Sequence, residues 1–236
     1  MKVVINQSNY LPWKGYFDLI HDADTFIFLD DVQFTKNHWR NRNRILGPNG
    51  IHWLTIPVGP SLNRRIRDVT LPKGPWRRKH WQALQLAYGA TQYFERYAPF
   101  FSSVYADGAL LTLSELNQLL ITTIARDFLG LKTRFCTSAE FEARGQKQER
   151  VLALLTAAGA TTYISGPAGK SYLKEDSFRD RRIELRWKDY AGYPVYPQGG
   201  DSMVHEVSVV DLLFRHGPDA AEYIWGWRAA PVPTAP

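Results

Sequence analysis

The sequence predicts an α/β protein: a Rossmann-like, mostly parallel sheet with a helical insertion at about 75–130. Three observations carry this. Residues 2–5 and 25–29 are apolar runs on either side of an amphipathic stretch, 13–21, and strand, helix and strand within about thirty residues form one βαβ unit. A second such unit ends at Ser165-Gly166. Between the two units lie three helical stretches.

The elements follow in order. Residues 2–5 are β-branched after Lys2 and read as a buried strand, followed by a polar loop, 6–12, that ends in Pro12. Apolar positions 13, 16, 17, 19 and 20 give the next segment a helical face. The strand at 25–29 stops at Asp30-Asp31, and 35–44 reads as a basic, Asn-rich loop. Segments 51–58 and 65–71 read as strands. Residues 75–89 form a helix opened by Pro75 and closed by Gly89. Residues 91–107 read as helical with an interruption at Pro99, and 112–130 as the clearest helix, with Gly130 past its end. Then come a strand at 132–136, a helix at 149–159, strands at 161–165 and 182–187, and a helix at 207–216 before Gly217. Residues 1–228 read as one domain and 229–236 as a disordered tail.

Ligands of parallel sheets bind outside the carboxyl ends of the strands. That rule puts 6–9 and 30–33 on one rim.

With 44% hydrophobic and 14% aromatic residues, the 236-residue chain is not intrinsically disordered. No stretch approaches the roughly 20 apolar residues of a membrane span, and the start lacks a signal-peptide core, so a soluble cytoplasmic protein is expected. One cysteine, Cys136, excludes an internal disulfide and a Cys-based zinc site. A net charge of +6 suits an anionic ligand and falls short of a general nucleic-acid binder.

Three clusters carry chemistry. The run from Asn6-Gln7-Ser8-Asn9-Tyr10 through Leu11-Pro12-Trp13-Lys14-Gly15 to Tyr16 offers amides and hydroxyls that orient a ligand by hydrogen bonds. Asp30-Asp31-Val32-Gln33 offers paired acids that accept a hydroxyl or a proton; with no third carboxylate nearby in sequence, no metal site is predicted. Lys36 to Arg44 holds Lys36, Arg40, Arg42 and Arg44 around Trp39, a pattern suited to phosphates and to stacking on a base or sugar. Basic runs at 64–67 and 77–80 could dock an acidic carrier protein, although a solvated face is the commoner meaning. Gly169-Lys170-Ser171 resembles half of a P-loop, but the full spacing needs Gly at 164, which is Ile; this disfavours ATP. His205, Ser208 and Asp211 gather at a helix start, where Ser208 is more simply a cap.

The chain resembles the WbqC-like proteins of bacterial surface-polysaccharide and natural-product gene clusters. The resemblance rests on Asn9-Tyr10-Leu11-Pro12-Trp13 with Gly15-Tyr16-Phe17, on Leu29 to Phe34, on Asn41-Arg42-Asn43 with Ile45, on Trp53 to Val58, and on Ser208 to Gly217. It implies transfer of glycine or a related acyl group onto the amine of an amino sugar. The family's first loop reads His-Gln-Pro-Asn-Tyr, whereas this chain has Asn6, which supplies neither the proton transfer nor the charge of a histidine. On this reading Asp30 or Asp31 is the first choice of base and His205 the second. Gln7, Asn9 and the backbone N–H groups at Trp13 face the developing oxyanion. Arg40, Arg42 and Arg44 hold the phosphates of a nucleotide sugar or a pantetheine arm. Asn6, Tyr10, Trp13, Gln33, Lys36, Trp39, Lys170 and Ser208 complete the substrate contacts. An activated thioester donor is expected ahead of glycine with ATP. The alternative is a non-catalytic module that binds a carrier protein or RNA.

Overall fold

The computed structural model describes residues 1–61, 63–106, 108–199 and 203–228. Five parallel strands form the central sheet: β1 (Lys2–Asn6), β2 (Thr25–Phe28), β5 (Arg134–Thr137), β6 (Thr162–Ser165) and β7 (Glu184–Trp187), in the order β5-β2-β1-β6-β7. The order turns back between β1 and β6, which makes their carboxyl ends the crevice where doubly wound sheets take ligands. The register Ile5↔Ile27 and Asn6↔Phe28 brings the loops after β1 and β2 to one level. β1 has no exposed apolar position: Val3, Val4 and Ile5 are all buried, as expected of a strand covered on both faces.

Helix α1 (Lys14–His21) follows the first loop and packs Tyr16, Phe17, Leu19 and Ile20 into the main core. A hairpin of β3 (Arg42–Gly47) and β4 (Gly50–Thr55) stands apart from the sheet. Then come α2 (Trp76–Tyr88), α3 (Phe94–Ala106) and α4 (Leu113–Thr123), the helical insertion. Helices α5 (Lys147–Ala157) and α6 (Glu175–Arg179) cover the other face around Leu152, Leu155 and Phe178. Helix α7 (Val209–His216) returns to the first core, where Phe214 packs on Tyr88 and Phe94. The tail expected at 229–236 lies outside the described residues.

Four local expectations are corrected. Residues 42–47 are a strand rather than a loop; Asn43 and Ile45 are its buried positions, and a polar residue at an inward position hid the period of two. The segment expected as a strand at 65–71 is a 3₁₀ turn, Ile66–Asp68; its buried Ile66 and Val69 are three apart, the 3₁₀ period. Helix α3 runs on through Pro99, held on both sides by buried Ala98 and Phe101. The helix expected to Gly130 gives way at Ile124 to a π turn, Ile124–Phe128, and Gly130 then takes φ +69°. Among the described residues no helix is long and apolar enough to cross a membrane.

Candidate active site at the carboxyl edge of the sheet

The loop after β1 crosses the edge of the sheet and is held from three directions. The Ser8 N–H donates to Asp30 Oδ1 at 2.8 Å, and Asp30 Oδ2 accepts from Ser114 Oγ at 2.5 Å and Gln118 Nε2 at 3.0 Å. Asn43 Nδ2 donates to the carbonyls of Tyr10 and Leu11 at 3.2 and 2.7 Å. Between these clamps Leu11 sits at φ +42°, a left-handed conformation that a leucine adopts only when its surroundings impose it. The loop ends against α7: Val209 N–H donates to the Pro12 carbonyl at 2.9 Å, and Ser208 N–H to that of Arg44 at 2.8 Å.

Asp30 is therefore a structural carboxylate, buried with three donors on it. Asp31 pairs with Arg150 at 2.5 Å, and its Oδ1 is buried with no partner among the described residues. Tyr10 is fully buried; its hydroxyl meets Tyr105 and His80 Nδ1 and does not reach the surface. Ser208 is the cap of α7, its Oγ accepting from Val210 N–H at 3.4 Å. Asn6 accepts the Gln7 N–H at 2.9 Å, Gln33 bridges Arg65, and Lys36 is exposed. Lys170 lies in the 3₁₀ turn Pro167–Ser171 over the Trp187 ring. The N–H groups of Gly169, Tyr172 and Leu173 are spent on carbonyls inside that loop, so it is not a phosphate cradle.

The remaining expected residues converge. The Arg40 guanidinium is held by the side-chain oxygens of Gln7 and Asn9, while its Nε has no partner among the described residues. Burial lowers its pKa to about 10, so it stays a cation at neutral pH, steadied by neutral amide oxygens. Trp39 stacks on Trp53 of β4 (centroids 5.8 Å, 22°), and the Arg42 guanidinium lies 4.4 Å from the Trp53 ring. Arg44 Nε and Nη2 donate to the Glu206 carbonyl at 3.1 and 2.8 Å, and Nη2 also meets its carboxylate at 3.2 Å. Asn9, Pro12, Trp13, Trp39, Asn43 and Glu206 line a cavity of about 250 Å³.

A second cavity, about 350 Å³, shares Trp13 and Glu206 with the first and adds Tyr190, Gly192, Tyr193 and His205. Trp13 forms the wall between them. Its indole lies so close over Gly15 that a Cβ there would come within 2.3 Å of it, so the glycine is what lets the ring take this place. Beside this chamber Lys14 is buried, with its Nζ 4.8 Å from the Tyr193 ring centroid, 5.2 Å from that of Tyr196, and 3.4 Å from the Pro194 carbonyl. Burial lowers its pKa to about 8. His205 Nδ1 is buried without a partner among the described residues. Burial, reinforced by the Lys14 charge, lowers the His205 pKa below its usual 6.5 and leaves the ring neutral at pH 7.

A family model of the WbqC-like proteins matches residues 7–223. The chain belongs to the WbqC-like protein family. It is 40% identical over 225 residues to the uncharacterized protein Rv1507c of Mycobacterium tuberculosis (strain ATCC 25618 / H37Rv), a match that covers 94% of this chain and 97% of the relative. No solved structure matches significantly.

In this WbqC-like chain, sequence reasoning assigned no role at the edge to Lys14 or Glu206, although both stood in motifs it singled out, nor to Trp53, Tyr190 and Tyr193. An aromatic-glycine run, Tyr190 to Tyr193, directly after the last parallel strand was the available signal for two of them. Asp18, His21 and Asp22 bring ligand atoms within 4.8 Å of one another, as a metal site would. Lys188 meets both carboxylates, at 2.9 and 2.5 Å, and Arg228 adds a second cation on Asp18, so positive charge already sits there.

Proposed function

We propose that this protein transfers an acyl group, glycyl or a close relative, from an activated donor to the amine of an amino sugar. One observation carries the reading: two cavities share Trp13 and Glu206 at the carboxyl edge of the sheet, and the second is lined by His205, whose Nδ1 has no hydrogen-bond partner among the described residues. Adjoining chambers suit two substrates whose reacting atoms must meet. The acceptor nitrogen attacks the carbonyl of a thioester, a C–N bond forms, and the C–S bond breaks. The proton leaving the nitrogen goes to His205 and from there to the departing thiolate. Among the three candidate bases, His205 lines the second cavity, while Asp30 and Asp31 are engaged by other side chains. Arg40 or the amide nitrogen of Asn9 supplies charge and hydrogen bonds to the oxyanion.

The test is mass spectrometry of amino sugars, free and nucleotide-linked, incubated with the full chain and either a glycyl-thioester carrier or glycine plus ATP. A gain of one glycyl unit with the thioester is expected. His205→Ala is expected to slow it about 10²-fold or more with its melting temperature kept, since the side chain is only partly buried and its Nδ1 makes no hydrogen bond among the described residues. No mass gain under either condition removes the proposal. A gain with ATP alone keeps the transfer and changes the donor.

A further inference from the structure

Building on the two-chamber reading above, we infer that the smaller cavity takes the base of a nucleoside diphosphate, so that the acceptor is a nucleotide-linked amino sugar. At about 250 Å³ the cavity is smaller than the pockets that hold whole drug-sized ligands, roughly 300–1,000 Å³, yet has room for one ring system. Its walls are mostly apolar, with Pro12, Trp13 and Trp39 facing a space to which Asn9 and Glu206 bring polar atoms. A flat heteroaromatic ring needs two apolar faces and a few polar groups at its edge. A sugar, with hydroxyls around its whole rim, is less well served.

The aromatic wall is also braced. Trp39 leans on Trp53, and Trp53 on the Arg42 guanidinium, so the stacking surface is held in place before any ligand arrives. Phosphates attached to a base in this cavity meet cations on either side. Arg40 reaches the lining through Asn9, and Arg44 reaches it through Glu206. Arg40 is the stronger candidate, because its contacts are amide oxygens and no carboxylate lies in ion-pair contact with it among the described residues. The sugar then extends toward the His205 chamber, which shares Trp13 and Glu206 with this cavity.

The experiment is calorimetric titration of the full chain with UDP, dTDP, CDP, GDP and ADP, with inorganic pyrophosphate and a ten-residue oligouridine as comparisons. One or more of the nucleotides is expected to bind at least about tenfold more tightly than pyrophosphate. Trp39→Ala is expected to weaken that binding about tenfold or more, Trp39→Phe much less, and both are expected to melt with the wild type because the indole is 37% exposed. Equal binding of pyrophosphate and nucleotides, or an unchanged affinity in Trp39→Ala, overturns the inference. So does steeply salt-dependent binding of the oligouridine with none of the single nucleotides. Glycylation of a free amino sugar without nucleotide binding removes this inference and leaves the transferase reading intact. Nucleotide binding without glycyl transfer does the reverse.

Discussion

Asp30 on one side of the sheet edge and the pair Lys14 and His205 on the other are buried in opposite ways. The Asp30 carboxylate accepts from Ser8, Ser114 and Gln118, and Asn117 Nδ2, which also reaches Ser8 Oγ, donates to the Arg40 carbonyl at 2.8 Å; beside this set Asp31 Oδ1 and Asn117 Oδ1 have no partner among the described residues. On the side of β7 and α7, Lys14 is buried against the rings of Tyr193 and Tyr196 and one distant carbonyl, and His205 Nδ1 has no partner among the described residues. A buried polar group with all its partners fixes a conformation; one without them stays available to a ligand or a proton, at a cost in stability. On the proposed function the first region shapes the rim and the second holds the reactive groups. Sequence alone ranks them the other way, because a pair of acids at a strand end looks more catalytic than a histidine in a loop.

The largest test of this contrast is Asp30→Ala. It leaves the Ser8 N–H, the Ser114 hydroxyl and the Gln118 amide without their acceptor in a buried place, and unfolding in urea should show a loss of about 3–5 kcal/mol. A variant of wild-type stability that has lost turnover would break the comparison and return Asp30 to the chemistry.

The next effect belongs to His80. Its Nε2 lies 3.2 Å from the Thr55 carbonyl and its Nδ1 2.9 Å from the Tyr10 hydroxyl, an arrangement that suits the neutral ring. Burial lowers its pKa to about 4. The unfolded chain, at about 6.5, binds the proton more readily, so this contribution to stability is complete above pH 6.5 and is lost as pH falls toward 4. Over that window wild-type stability should drop about 3 kcal/mol more than that of His80→Gln. Parallel curves for the two proteins would show that His80 does not titrate with folding.

The fold was legible where period and burial agree. The apolar runs in β1 and β2 and the amphipathic α1 gave the parallel sheet, and with it the edge on which ligands bind. The hairpin strand β3 was hidden because Asn43 occupies an inward position and is paid for by carbonyls of a loop some thirty residues away. The site divides along the same line. The loop residues Gln7, Asn9 and Trp13 and the cations Arg40 and Arg44 could be grouped from composition and the strand-end rule. Lys14 looked like an ordinary lysine at a helix start, because its burial is imposed by Tyr193 and Tyr196, about 180 residues later in the chain.

Lys14→Met is the smallest perturbation and separates the two sides most sharply. The pKa fall from 10.5 to about 8 means that the folded state carries a cost of about 3 kcal/mol at pH 7 for keeping this ammonium charged, relieved as pH rises from 8 toward 10.5. Methionine removes that cost and also the two cation–ring contacts, together worth about 1–2 kcal/mol, so the net change in stability should be small and favourable. The informative readout is His205. Without the neighbouring charge its pKa should rise toward 6.5, visible in an NMR titration of the imidazole, and the acid limb of kcat/KM should move to higher pH with it. If the titration moves and the rate profile does not, His205 is not the base. If neither moves, Lys14 does not set the histidine's charge, and its side of the edge is simply less well packed than that of Asp30.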